Sequence, residues 1–251
     1  MISNTSQTLI VLPHLDDEFA ISPIFNLINV NKTDKVYVVF CAERNKSNIS
    51  IQKKRRKESI KSMNLLKIEK QNIFFLNDVF QVNDLKLYEA KENIYNFLIN
   101  LLELYKFSQI ITLSFEGGNP DHDFLALIIF KISRTYDIKC FYFPSYNYEK
   151  NLFIPIRVLT PLNTQLNSSK YIKISRFCWY KSIIISSIYQ TEKKTFIKLF
   201  PFLLNKFLFS NGIYYLDHID INSVNWEKSL SFNRYRVKKN ILKNIIKYAF
   251  E

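Results

Sequence analysis

Five short runs of β-branched and aromatic residues, separated by stretches of helical period, constrain the fold of this chain more than any other feature. They are "TLIVL" (8–12), "KVYVVFCA" (35–42), "NIFFL" (72–76), "QIITLSF" (109–115) and "IKCFYF" (138–143). Each is apolar almost throughout rather than alternating, which is the pattern of a strand covered on both faces. Between them the period lengthens. The clearest case is 86–106, where Ile94, Phe97, Leu98, Leu101, Leu102 and Tyr105 fall on one helix face. A basic helix is predicted over 51–67 and a further one over 122–133. Strands alternating with helices predict an α/β fold over 1–145: a Rossmann-like, doubly wound, mostly parallel sheet with helices on both faces. After Pro144 the alternation is lost. "NLFIPIRVL" (151–159) and the long mixed apolar and basic stretches that follow predict a C-terminal helical and mixed subdomain over 146–251, packed on the core as one folded unit.

In an open parallel sheet, ligands bind beyond the carboxyl ends of the strands. Two polar clusters fall there. "PHLDDE" (13–18) follows the first strand, and "FEGGNPDHDF" (115–124) follows the fourth; between them they hold two of the three histidines and two of the three glycines in the chain. A Gly-Gly pair in a chain this poor in glycine implies a backbone that turns sharply or approaches another segment closely. Alone, the first cluster is a weak signal, since Asp16 or Asp17 would equally cap the next helix. A helix cap, however, requires no second histidine cluster at the mouth of a later strand. Imidazole, carboxylate and imidazole leave a tetrahedral zinc with one open position for water, the arrangement of a catalytic site. A further carboxylate beside such a site would take the proton from that water.

On these residues the chain resembles the PIG-L/LmbE-like family of metal-dependent N-deacetylases, which act on N-acetylglucosaminyl-phosphatidylinositol and other amino-sugar conjugates. "PHLDDE" is similar to the family's His-Pro-Asp-Asp-Glu motif and "GGNPDHD" to its His-Pro-Asp-His motif. "RRKESIKSMNLLK" followed by "NIFFLND" is similar to its Arg-x-x-Glu helix and the strand ending in Asp. The resemblance covers residues 8 to about 145 and is faint beyond, touching the Lys181–Gln190 stretch. It implies a zinc-dependent hydrolase that removes the N-acetyl group from an N-acetylated amino sugar in glycan, glycolipid or glycoconjugate biosynthesis. It further implies His14, Asp17 and His122 as ligands of Zn2+ or another divalent metal, Asp16 as general base, and Arg55, with Glu58 as its companion, on the substrate side.

Two departures from the family pattern stand out. Leu15 occupies the position of the first motif's proline, which bears on packing more than on chemistry. Asn119 occupies the position of the second motif's first histidine, and an amide donates a hydrogen bond but cannot deliver a proton. Three readings follow. Asn119 acts as a neutral oxyanion donor while Asp16 returns the proton; or His218, in "YLDHID", folds over the site and contacts substrate in place of the missing group; or the chain is a catalytically weakened or inactive member that binds a sugar or a protein partner. A single histidine among apolar residues is more often a surface or core residue, which weighs against His218.

A formal charge of +13, from 35 Lys and Arg against 22 Asp and Glu, favours anionic partners. The run Lys53 to Lys57 reads first as a solvated helix end; attraction of a nucleotide-linked or lipid-linked N-acetylamino sugar is the sharper alternative. No nucleic acid is expected, because the positive charge is scattered and no recognition motif accompanies it. "FIKLFPFLLNKFLF" (196–209) reads as a helix-packing surface, with a peripheral membrane contact as the alternative. Cys41, Cys140 and Cys178 are odd in number and set among apolar residues, as expected for buried free thiols in a reducing compartment. With no signal-peptide pattern and no stretch of transmembrane length, the expected location is cytoplasmic, or peripheral at the inner membrane surface.

Overall fold

The structure is a computed structural model that describes residues 7–28, 35–43, 49–148, 156–224, 229, 235, 237 and 239–250. Its centre is a sheet of five strands: β1 (Thr8–His14), β2 (Val36–Ala42), β3 (Ile73–Phe75), β4 (Gln109–Leu113) and β5 (Lys139–Phe143). Their order is β3-β2-β1-β4-β5, and every neighbouring pair is parallel. All residues of β1 and β2 are buried, as continuous apolar strands between two helical layers must be. Alternate side chains serve opposite layers. Leu9, Val11 and Val39 pack with the helices α4 (Lys91–Tyr105) and α5 (Pro120–Tyr136), whereas Ile10, Leu12 and Val38 pack with α1 (Glu18–Ile21), α2 (Phe25–Ile28) and Met63 of α3 (Ile49–Leu65).

The helix expected over 86–106 begins later than its apolar pattern suggests, with a 3-10 turn at Leu87–Ala90 preceding α4. The cause is local: the backbone N–H groups of Leu85 and Leu87 donate to the Asp121 carboxylate instead of entering a helix. In α3 the usual polarity is inverted. Arg55, Glu58, Ser59 and Ser62 are buried while Ile49 and Ile51 are exposed, so this helix turns a polar face to the protein.

Beyond β5 come an antiparallel pair, β6 (Tyr146–Tyr148) with β7 (Ile156–Val158), then α6 (Asn163–Leu166), and a second pair, β8 (Lys170–Lys173) with β9 (Gly212–Tyr215). Helices α7 (Trp179–Ile188) and α8 (Lys193–Phe209) lie between β8 and β9, and α9 (Lys239–Phe250) closes the described chain. Trp179, Ile185, Phe196 and Leu203 join the apolar cluster of α1, α2 and α3, and Ile245 and Ala249 join that of α5. The C-terminal segments therefore complete both layers of the sheet. Residues 151–155 of "NLFIPIRVL" lie outside the described residues. Cys41 and Cys140 are buried free thiols, while Cys178 is only half-buried, because it opens α7 at the surface end of its layer.

Candidate active site

The strand order reverses between β1 and β4, and both polar clusters sit at the carboxyl end of that junction, where an open α/β sheet forms a crevice. His14 is the last residue of β1. The turn after it places Asp16 at φ +116°, a conformation that costs a non-glycine residue about 1–3 kcal/mol and persists only when its surroundings enforce it. They do. The Asp16 N–H donates to Glu18 Oε2 at 3.1 Å, Arg55 donates to Leu15 O at 2.7 and 3.1 Å, and Arg55 Nη2 lies 3.0 Å from Asp16 Oδ2. Glu18, wholly buried, also accepts from Tyr189 Oη, so it holds the turn in place.

The second cluster is set by α5. Asn119 caps that helix, its Oδ1 accepting from the Asp121 N–H at 2.8 Å, with Pro120 at the first helical position. Asp123 accepts from the N–H groups of Glu116 and Gly117 at 2.7 and 2.9 Å. The glycines meet both sequence expectations: Gly117 has φ +68°, and a Cβ on Gly118 would stand 2.2 Å from the carbonyl oxygen of Tyr146.

His14, Asp17 and His122 come together. Asp17 Oδ2 is 3.2 Å from His14 Nδ1 and also accepts the His14 N–H at 2.9 Å, while Oδ1 is 3.2 Å from His122 Nε2. On its other edge His14 Nε2 is 3.0 Å from Asp121 Oδ2 and 3.2 Å from Asp84 Oδ1. This donor set fits a divalent cation. Two imidazole nitrogens and a carboxylate oxygen lie within 4.8 Å of one another, a combination that suits zinc and several other first-row ions. A carboxylate on the far nitrogen of a ligating histidine fixes its tautomer, and Asp121 stands there. His14, Asp84 and Asp121 also cluster within ligand distance. The Asp121 oxygens, however, already accept from Leu85 N–H at 2.6 Å and Leu87 N–H at 3.0 Å, which marks Asp121 as an orienting group.

The electrostatics agree with a cluster that demands positive charge. Burial alone would lower the His14 imidazole, yet its hydrogen bonds to Asp121, Asp17 and Asp84 push it well above its ordinary value. Burial would raise Asp17, yet His122 and His14 hold it well below the usual carboxylate range. Asp16, one residue away, goes the other way: burial pushes its carboxyl up to about 7 against the opposing pull of Arg55.

These groups line a cavity of about 410 Å³ together with Phe19, Asp84, Leu85, Tyr146, Tyr235 and the N-terminal turns of α8. Arg55 reaches it, but its guanidinium is directed to Leu15 O, Asp16 and, at 3.2 Å, Glu192 Oε1. The companion implied for it, Glu58, instead accepts from Thr191. His218 does not reach the cavity. It stands at the surface beside Asp217, its Nδ1 3.1 Å from Oδ1, because the bridge between Leu216 and Tyr142 carries this segment along the outer edge of the sheet. Asp84 and Tyr146 were not anticipated from sequence. The ring of Tyr146 stands edge-on to His122 at 5.4 Å.

A Rossmann-like parallel sheet that gathers two imidazoles and a carboxylate at its switch point defines a class of α/β protein with a cluster that could hold a metal ion at the carboxyl end of the sheet. A family model for PIG-L, GlcNAc-PI de-N-acetylase, matches residues 9–133. The chain belongs to the PIG-L family, which places it among enzymes that hydrolyse amide bonds. No curated protein matches the sequence. Solved structures of similar fold include a deacetylase of teicoplanin biosynthesis in complex with bog, at 11% identity, covering 83% of this chain and 96% of that one, with a TM-score of 0.59. The zinc-inhibited form of teicoplanin deacetylase Orf2 follows at 10% identity, 83% and 96% coverage and a TM-score of 0.57. GalB, the 4-carboxy-2-hydroxymuconate hydratase of Pseudomonas putida KT2440, aligns at 12% identity over 84% and 94% with a TM-score of 0.53. At these identities the likeness is one of fold, and the fold carries a hydratase as well as deacetylases.

Proposed function

We propose that the protein removes the acetyl group from an N-acetylated amino sugar, with His14, Asp17 and His122 holding a divalent cation, zinc being the ion their chemistry suits best. The observation that carries this reading is geometric: His14, Asp17 and His122 offer three ligand atoms within 4.8 Å of one another. Asp16, turned away from them by its positive φ and held 3.0 Å from Arg55 Nη2, leaves a second carboxylate beside the site to serve as base. A cation at this site supplies a Lewis acid that polarises the acetamide carbonyl and makes water easier to deprotonate. Asp16 takes a proton from the attacking water as its oxygen bonds to the carbonyl carbon. When the C–N bond breaks, Asp16 returns that proton to the leaving amine, giving acetate and the free amino sugar. Arg55 positions Asp16 through the strained turn. Asn119, locked by its helix cap, offers its amide as a neutral donor to the developing oxyanion.

The C-terminal segments shape the substrate end of the cavity through Tyr146 and the first turns of α8. Their lysines, Lys194 and Lys198, suit an anionic conjugate such as a nucleotide-linked or lipid-linked sugar, with a place in glycan or glycoconjugate assembly in the cytoplasm. The test is acetate release from a panel of N-acetylamino sugars and their conjugates, with and without a chelator. Chelator-sensitive release supports the reading. Bound metal and sugar without release on any member of the panel would favour a binding protein, with Asn119 as the altered residue.

A further inference from the structure

Helix α8 is apolar on two sides. Its inner side buries Phe196 and Leu203 against the core. Its outer side exposes Ile197 (61%), Phe200 (45%), Leu204 (37%), Leu208 (44%) and Phe209 (78%). The first four recur at the three- and four-residue spacing that makes one stripe along a helix. At the C-terminal end of the stripe Phe177 and Tyr180, both exposed, reach the ring of Phe207 at 6.0 and 6.3 Å. A contiguous apolar patch of this kind marks an interaction surface.

The charge around it selects the partner. From Lys170 to Ser210 the only acidic residue is Glu192, which is half-buried and paired with Arg55. Lys193, Lys194 and Lys198 of α8 itself are exposed, and so is Arg176, whose guanidinium lies 5.4 Å from the ring of Phe177. An apolar helix face bordered by lysines and aromatic rings is the pattern of a helix that lies in the headgroup layer of an anionic membrane. A second copy of this chain would bring like charges together at the same face. The stripe begins where the cavity ends, since Lys194, Thr195, Phe196, Lys198 and Leu199 also line the cavity. No helix among the described residues is long and apolar enough to cross a bilayer, so contact through this face is peripheral.

We propose that the outer face of α8, with Phe177 and Tyr180, docks the protein on an anionic lipid surface, with the mouth of the cavity at the membrane. Docking is a property of the surface and stands or falls apart from turnover. The test is co-sedimentation of the full chain with phosphatidylcholine vesicles, alone or with about a quarter phosphatidylglycerol, across a salt series. The expected result is partition about tenfold or more greater on the anionic vesicles, weakening as salt rises. The paired change Ile197→Glu and Leu208→Glu, neither residue being in the cavity, should reduce that partition about tenfold or more while circular dichroism melting stays that of the parent. Should that pair fail to fold, Ile197→Ser with Phe209→Ser replaces it, at the two most exposed apolar positions of α8. Equal partition on neutral and anionic vesicles, or undiminished partition of a folded variant, overturns the proposal. So does a dimer in sedimentation velocity that the same changes convert to monomer.

Discussion

Asp16 and Asp17 are neighbours in sequence, yet their surroundings assign them different chemistry. Asp17 faces two imidazoles, whereas Asp16 is turned by its positive φ toward Arg55. Asp16→Asn should therefore keep bound metal and lower acetate release by about 10²–10⁴-fold, the usual worth of a general base; metal analysis beside a rate assay would show it. Full activity of that variant would remove Asp16 from the mechanism. Asn119 carries a structural duty as well. Asn119→Ala deletes the cap of α5 and should cost about 1 kcal/mol in a denaturant titration, in addition to any effect on rate. His14, Asp17 and His122 were legible in the sequence because each sits in a compact motif directly after a strand. Asp84 was not. It lies in an irregular loop with no motif around it, and only the fold brings it to His14.

At the scale of single elements, α3 shows how a helix can be built to support a site. Its inward residues Arg55 and Glu58 anchor the turn after β1 and the junction of α7 with α8. Arg55→Met would leave Asp16 and Glu192 without the cation between them, and breaking a buried pair from one side typically costs about 3–5 kcal/mol. Chemical unfolding should report a loss of that size; a loss under about 1 kcal/mol would mean the guanidinium is a surface ion pair in effect. The segment after β4 carries a pH signature. Burial pushes the Glu116 carboxyl from its ordinary 4.5 up to about 8, despite hydrogen bonds from Ser145 N–H and Asn147 that favour the ionised form. A carboxyl raised on folding stabilises the protein fully below pH about 4.5, and that contribution is lost as pH climbs through about 8. Stability should accordingly fall across this window in the parent, and Glu116→Gln should flatten the decline in a series of melts. The basic run of α3 was legible only as charge. That Arg55 points inward follows from the helix's register against the sheet, which no local pattern records.

At the scale of the molecule, the parallel sheet was readable almost strand by strand, since a strand buried on both faces leaves a continuous apolar signal. The path of the C-terminal residues was not. Helix α8 is apolar both inward and outward, so its periodicity names no buried side, and β8 and β9 pair across two intervening helices. His218 shows the consequence: its sequence neighbourhood gave no hint that β9 runs along the far edge, away from the cavity. The proposed reaction requires one cation held by His14, Asp17 and His122, and elemental analysis of the purified parent protein beside Asp17→Ala tests that most directly. About one equivalent of a divalent metal should accompany the parent and be missing from the variant when both fold. A parent free of metal after purification under metal-replete conditions, or an Asp17→Ala variant that retains as much as the parent, would contradict the site.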